Sequence, residues 1–187
     1  MRIVGGSHGG RVLRAPAGAA TRPTSEKVRE AIFGILAHQH GPLEGAQVLD
    51  LFAGSGALGI EALSRGAAHA TFVDFGKVPL NVIRGNLREL GLEARATVVG
   101  GDAVAAAARA GSAGVMWDVV FVDPPYASDL AVRAVTAIPL EHLTATATIV
   151  IEHDRRHAPP EQLGSLVRTD ERRYGDTLVS FYQRGPT

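Results

Sequence analysis

The stretch from Val48 to Gly59, Val-Leu-Asp-Leu-Phe-Ala-Gly-Ser-Gly-Ala-Leu-Gly, restricts the folds open to this chain more than any other. An apolar run of strand length stops at Gly54, Gly56 and Gly59 and leads into good helix formers, so it reads as a buried strand, a tight turn and a helix start. A strand followed at once by a covering helix is the first half of a βαβ unit, which belongs in a parallel sheet. The turn falls at the strand's carboxyl end, where open α/β sheets bind small molecules. The free N–H groups of the helix start favour an anionic ligand group close by.

Beyond this stretch the alternation continues. Near-continuous apolar runs at 48–52, 70–74, 96–100, 118–123 and 148–152 predict five parallel strands, with helices at about 57–66, 77–91, 102–110 and 128–138. Two further β-prone runs, Leu166 to Tyr174 and Thr177 to Arg184, are joined by Gly175-Asp176 and predict an antiparallel pair that finishes the sheet. The expected core is therefore an α/β fold with a mixed seven-stranded sheet and helices on both faces. Ahead of it, residues 2–5 and 11–14 flank Gly5-Gly6-Ser7-His8-Gly9-Gly10 and predict a small hairpin. Val28, Ile32, Ile35 and Leu36 recur at helical spacing over Glu26 to Ala37, capped by Thr24 or Ser25, before Gly41-Pro42 stops the helix. Residues 1–40 are thus expected to form a hairpin-and-helix extension, and residues 41–187 the main domain.

With 45% hydrophobic and 5% aromatic residues, the chain has the composition of a globular α/β domain. The absence of cysteine excludes disulfides, thiolate metal sites and a cysteine nucleophile. No apolar run approaches the roughly 20 residues of a membrane span, so a cytoplasmic protein is expected. The zero net charge conceals an asymmetry. Residues 1–36 carry six basic side chains (Arg2, Arg11, Arg14, Arg22, Lys27, Arg29) against Glu26 and Glu30, a surplus of four. A basic extension on a neutral domain suits contact with backbone phosphates, and the same cluster also reads as a solvated terminus.

Acids gather at the predicted carboxyl ends. Asp50 lies in the first strand region, Asp74 ends the second, Asp102 with Ala103 follows the third, and Asp123 ends the fourth. Gly54-x-Gly56-x-x-Gly59 with an acid 20 residues beyond Gly54 also matches a dinucleotide fingerprint. Against that reading, no second mononucleotide-binding half follows, and Asp50 lies just ahead of the turn, where it would repel a pyrophosphate. S-adenosylmethionine is the better match. Its amino group and sulfonium are positive, its ribose hydroxyls have Asp74 as an acceptor, and its adenine amine has Asp102. Phe52, Ala53, Gly54 and Gly56 would line the same ligand. Asp102 has the competing reading of an ordinary helix cap.

Phe121-Val122-Asp123-Pro124-Pro125-Tyr126 specifies the chemistry. Two prolines remove backbone donors and hold their neighbours extended, so the Asp123 carboxylate and the Pro124 carbonyl form a rigid acceptor group. An exocyclic nucleobase amine is a poor nucleophile. Its hydrogen bonds to such a group strengthen as the nitrogen pyramidalises during attack on a methyl carbon, which is transition-state stabilisation. Tyr126 has the ring to stack on a base taken out of its helix.

Taken together, Asp50-Leu51-Phe52-Ala53-Gly54-Ser55-Gly56 and Asp123-Pro124-Pro125-Tyr126 resemble the S-adenosylmethionine-dependent amino-methyltransferases that act on nucleobases. Gly10-Arg11-Val12-Leu13, Thr21-Arg22-Pro23-Thr24, Val28-Arg29-Glu30-Ala31-Ile32-Phe33 and Arg173-Tyr174-Gly175-Asp176-Thr177 narrow the resemblance to the RsmD-type enzymes, which methylate guanine N2 in 16S ribosomal RNA. The resemblance covers nearly the whole chain. It implies a class I methyltransferase fold, S-adenosylmethionine as cofactor, and Asp123, Pro124 and Tyr126 at the chemistry. It also implies an RNA-contacting extension carrying Arg11, Arg14, Arg22 and Lys27, and a substrate presented in the small ribosomal subunit or a late assembly particle. A monomer is expected. The chain departs from the family pattern in Asp74-Phe75-Gly76-Lys77, where relatives often have Glu, and in Ser7-His8-Gly9, where they are often basic.

His153 and His157 are four apart, as on one helix face, but no third ligand accompanies them, so they read as surface histidines and no metal site is expected. His38 and His40 read as exposed. Ser55 lacks a placed His and acid and is no nucleophile. Three alternatives stand beside the preferred reading: an adenine-N6 methyltransferase, a non-catalytic RNA-binding assembly factor and an NAD-dependent oxidoreductase.

Overall fold

The computed structural model describes residues 1–16, 25–111, 114–125 and 129–185. Five parallel strands, β1 (Gln47–Leu51), β2 (His69–Asp74), β3 (Ala96–Gly100), β4 (Trp117–Val122) and β5 (Leu143–Asp154), are followed by β6 (Gln162–Leu163), β7 (Leu166–Tyr174) and β8 (Thr177–Arg184). They form one sheet in the order β3-β2-β1-β4-β5-β8-β7-β6, parallel from β3 to β5 and antiparallel beyond. The sheet has eight strands where seven are expected. The extra one, Gln162–Leu163, is too short to show any periodicity, and pairs with β7 after Pro159-Pro160. Strand order reverses between β1 and β4, so their carboxyl ends mark the switch point where such sheets bind ligands.

Five helices cover the sheet: α1 (Glu26–His40), α2 (Ala57–Ser64), α3 (Lys77–Leu90), α4 (Ala103–Arg109) and α5 (Leu130–Ala137). Alternation along each strand sorts the core into two layers. Val48, Val119, Phe121, Val150 and Val179 pack with α1, α2 and α3 through Ile32, Phe33, Ile60 and Ile83. Leu49, Leu51, Val120, Val122 and Ile151 pack with α4 and α5 through Ala107, Ala134 and Val135. Ser25 caps α1, its hydroxyl accepting from Val28 N at 3.2 Å. The helix runs three residues past the expected Ala37 because the exposed His38 and Gln39 need no burial to continue it, and Gly41, at φ 73°, stops it.

The expected N-terminal hairpin is reduced to a single antiparallel bridge between Arg2 and Val12, around a helical turn at Gly6–His8. Side-chain anchors to the main domain replace an extended ladder. Ile3 and Leu13, 1% and 2% exposed, enter the α1–α3 side of the core. Glu61 of α2, fully buried, accepts from Val4 N at 2.7 Å, Gly5 N at 2.8 Å and Arg65 Nε at 2.9 Å. Buried Arg29 of α1 donates to the Arg2 carbonyl. In Glu61→Gln an amide NH₂ meets a backbone N–H with no acceptor between them. The variant is expected to lose about 2–3 kcal/mol of stability. Its Tm should fall by about 4–12 °C in scanning calorimetry.

Candidate active site

The carboxyl edge of the sheet is built around the β1–α2 turn. Ala53 N continues the β1–β2 ladder by donating to Val73 O at 2.9 Å. The chain then reverses through Phe52, Gly54 and Gly56 at φ 61°, 55° and 78°. Among the described residues Phe52 is the single non-glycine with positive φ. That conformation costs on the order of 1–3 kcal/mol and is found where a loop serves a ligand. The glycines divide their work. A Cβ on Gly59 would lie 2.3 Å from the Phe72 ring, so Gly59 serves helix–sheet packing. Among the described residues a Cβ on Gly54 would meet only Phe52 O at 3.9 Å, so none of them fills the space in front of Gly54.

Asp74 joins two loops. Its Oδ2 accepts from Gly54 N at 2.9 Å and its Oδ1 from Gly76 N at 2.8 Å, and each oxygen keeps a lone pair for a ligand hydroxyl. Next to it Phe75 is 84% exposed, an aromatic face outside the core clusters of the described residues, and the sequence reading gave it no role. Beyond β3, Asp102 caps α4, its Oδ1 accepting from Ala105 N at 2.7 Å. Asp102 is exposed, and Ala103 behind it is buried.

Asp50 lies under the turn, 2% exposed, with its Oδ2 accepting from Gly59 N at 2.9 Å. Burial pushes its carboxyl up to about 8, against the lowering effect of the Gly59 bond and with a further rise from the Asp74 charge. The folded protein therefore holds a proton here that the unfolded chain releases near the ordinary carboxylate range, and stability falls as pH rises toward about 8. Asp50→Asn keeps the bond from Gly59 without the charge. Its Tm, compared with wild type from pH 5 to pH 8.5, is expected to show a relative gain that grows with pH.

Asp123 follows β4 directly, half-buried, beside the β1 turn through the Leu51–Val122 pairing. Pro124 and Pro125 come next, while Tyr126 lies outside the described residues. Asp50, Asp74, Asp102 and Asp123 therefore all stand at one edge of the sheet. The proposed RNA cations are more dispersed. Arg14 pairs with Glu89 of α3, Arg11 Nη2 donates to Glu89 O at 3.3 Å, Lys27 is exposed on the first turn of α1, and Arg22 lies outside the described residues. Asn86 of α3, 1% exposed, joins arm to turn. It accepts from Arg14 N at 2.9 Å and donates to Arg14 O and Ser55 O, each at 3.1 Å.

His153 departs from the sequence reading. It lies on β5, 9% exposed, with Nε2 against Ser180 Oγ at 2.8 Å, and shares no helix with exposed His157, which pairs with Asp154. The two histidines share neither a helix nor an exposed face because β5 runs to Asp154, beyond the expected strand end. Among the described residues no His, Asp or Glu group has the arrangement of a metal site, and no helix is long and apolar enough to cross a membrane.

The acceptor chemistry of this edge fits an adenosine: paired acceptors for a ribose diol at Asp74, an aromatic face at Phe75, an acceptor for an amine at Asp102, and space before Gly54 that no described residue fills. A doubly wound sheet with that edge is a class I methyltransferase, an enzyme that draws its methyl group from S-adenosylmethionine. Residues 1–183 match the family described as "Conserved hypothetical protein 95", and the chain belongs to that family. It is similar to YlbH of Bacillus subtilis, named as an rRNA methyltransferase, at 42% identity over 98% of this chain and 99% of the relative. It is also similar to ribosomal RNA small subunit methyltransferase D of Escherichia coli, at 35% identity over 98% of this chain and 90% of the relative. The solved structure of an Escherichia coli protein, yhhF, named as a methyltransferase, superposes with a TM-score of 0.83 at 34% identity, covering 100% of this chain and 99% of that one. The resemblance to the RsmD-type enzymes is borne out.

Phe75 supplies a direct test of cofactor placement. Stacking of a base on an aromatic ring is worth about 1–3 kcal/mol. Phe75→Ala is expected to raise the S-adenosylmethionine Kd about ten-fold in calorimetry with Tm unchanged, since the ring is 84% exposed and supports nothing.

Proposed function

We propose that this chain transfers a methyl group from S-adenosylmethionine to the exocyclic N2 amine of one guanine in 16S ribosomal RNA. It acts as a cytoplasmic monomer on the small subunit or a late assembly particle. The observation that carries the reading is the position of Asp123-Pro124-Pro125 at the end of β4, beside the glycine turn of β1. An acceptor-rich loop next to a donor site suits an amine nucleophile and has no use in a hydride transfer. The names of the curated relatives, small-subunit rRNA methyltransferases, supply the RNA class.

In this scheme Asp74, Phe75 and Asp102 hold the adenosine part and Gly54 gives it backbone access, while Gly56, expected on the cofactor, faces Ile83, Ile60 and Phe72 and serves the turn. When bound, the cofactor supplies a methyl group on a positive sulfur, which keeps the bonding electron pair when the group leaves. Asp123 accepts one N–H of the guanine amine and the Pro124 carbonyl the other, which fixes the nitrogen lone pair toward the methyl carbon. As the nitrogen gains charge both bonds strengthen, and the surplus proton leaves along the bond to Asp123. Arg11, Arg14, Arg22 and Lys27 supply phosphate contacts, and residues 1–40 form the RNA-facing part of the molecule.

The test is methylation of small subunits from a strain lacking the activity, followed by nucleoside mass analysis. N2-methylguanosine is expected. N6-methyladenosine, or binding without transfer, overturns the assignment.

A further inference from the structure

A cleft of about 440 Å³ opens between the first turn of α1 and the β7–β8 turn, within the size range of small-ligand sites. Lys27 and Val28 of α1, Glu152 of β5, and Arg173, Tyr174 and Asp176 line it. Its position is set by strand register. The pairs His153–Leu178 and Asp154–Thr177 bring the β7–β8 turn to the carboxyl end of β5, the same edge that carries Asp123. Val122 and Ile151 are the last registered pair between β4 and β5, so Asp123 and Glu152 are the next residues on neighbouring strands. Phe121 and Val150 belong to the α1 side of the core and Val122 and Ile151 to the other. The alternation turns position 152 back to the α1 side, where Glu152 lines the cleft with Val28.

Neighbouring strands are about 4.8 Å apart, so two carboxylates at their ends are close enough to converge on two donors of one base edge. Guanine has that edge, N2–H₂ beside N1–H. A base with an acceptor at N1 meets repulsion from the second carboxylate. We infer that Glu152 accepts the N1–H of the guanine whose N2 lies at Asp123, and thereby selects guanine over bases with an acceptor at N1. This rests on the guanine-N2 reading above. Lys27 and Arg173 line the same cleft and supply cations for the phosphates flanking the extruded base. Glu152 also lies within electrostatic reach of buried Arg29, so its substitution is to be read on base choice as well as on stability.

The test uses small-subunit particles whose methylated guanine, once mapped, is replaced by 2-aminopurine, which keeps the N2 amine but has an acceptor at N1. Wild type is expected to prefer guanine by at least about a hundred-fold in kcat/KM, because a site built around a hydrogen bond rejects the analogue lacking it. In Glu152→Gln the amide donates to the N1 acceptor. Turnover of guanine should fall about ten- to a hundred-fold and the preference should shrink by at least ten-fold, with cofactor Kd unchanged. Equal use of both bases by wild type overturns the inference and leaves the methyltransferase reading standing, and so does an unchanged preference in Glu152→Gln. Transfer to neither base overturns the reading on which it rests.

Discussion

Asp123→Ala is expected to lower kcat by at least about a thousand-fold while the S-adenosylmethionine Kd stays within about two-fold of wild type. The size of the loss follows from what the carboxylate is asked to do. A guanine amine has its lone pair delocalised into the ring, and attack requires it to pyramidalise. A charged acceptor stabilises the nitrogen only as positive charge develops, so its removal acts on kcat, and loss of a single such contact costs about a hundred- to a thousand-fold. Alignment is lost with it, because the Pro124 carbonyl alone is left to accept from the amine. Asp123→Asn keeps an acceptor of the same reach without the charge and should fall between, at about ten- to a hundred-fold. Single-turnover methylation of small subunits with labelled cofactor measures both. Asp123 follows β4 and carries no part of the glycine turn, so wild-type turnover in Asp123→Ala would remove it from the chemistry.

Most of the scaffold was legible because burial dictates it. β7 and β8 match their expected limits, and α3 differs at its end by one residue. Fully buried parallel strands must be apolar throughout, and the long amphipathic helix shows its period. What was illegible depended on contacts between distant residues. Gln162–Leu163 became a strand because β7 was there to pair with it. The N-terminal arm has almost no ladder and is held by Glu61 and Arg29, two buried charges that sequence alone assigns to the surface. His153 looked exposed until β5 extended to Asp154 and turned it toward Ser180.

At the site, strand-end acids were found by position alone, and the same rule applied to β5 would have singled out Glu152. The exposure of Phe75 could not be read, because an aromatic residue between two strand-and-helix segments is ordinarily buried. The sorting of glycines was equally hidden. Only the packed structure shows that Gly59 makes room for Phe72 while no described residue crowds the space before Gly54.

Asp74→Ala should produce the opposite kinetic signature. The carboxylate is expected to take both ribose hydroxyls of the cofactor while holding Gly54 N and Gly76 N, so one substitution removes two charge-assisted bonds and releases the turn that shapes the site. Bonds to a charged acceptor are worth about 1.5–3 kcal/mol each, and losing two raises Kd by at least about a hundred-fold. The cost to folding stays near 1 kcal/mol, because Asp74 is half-buried and water reaches the N–H groups it leaves. At saturating cofactor, kcat should recover to within about five-fold, since ribose contacts bind ground state and transition state alike. Asp74→Glu separates the two duties. Its longer side chain still reaches a ribose but sits poorly for the two backbone bonds 2.9 and 2.8 Å away, so an intermediate loss of about ten-fold is expected. Calorimetry for Kd and saturation kinetics for kcat together place Asp74 on the cofactor and Asp123 on the base. A kcat defect in Asp74→Ala that survives saturating cofactor would show that the two strand ends do not divide the reaction in this way.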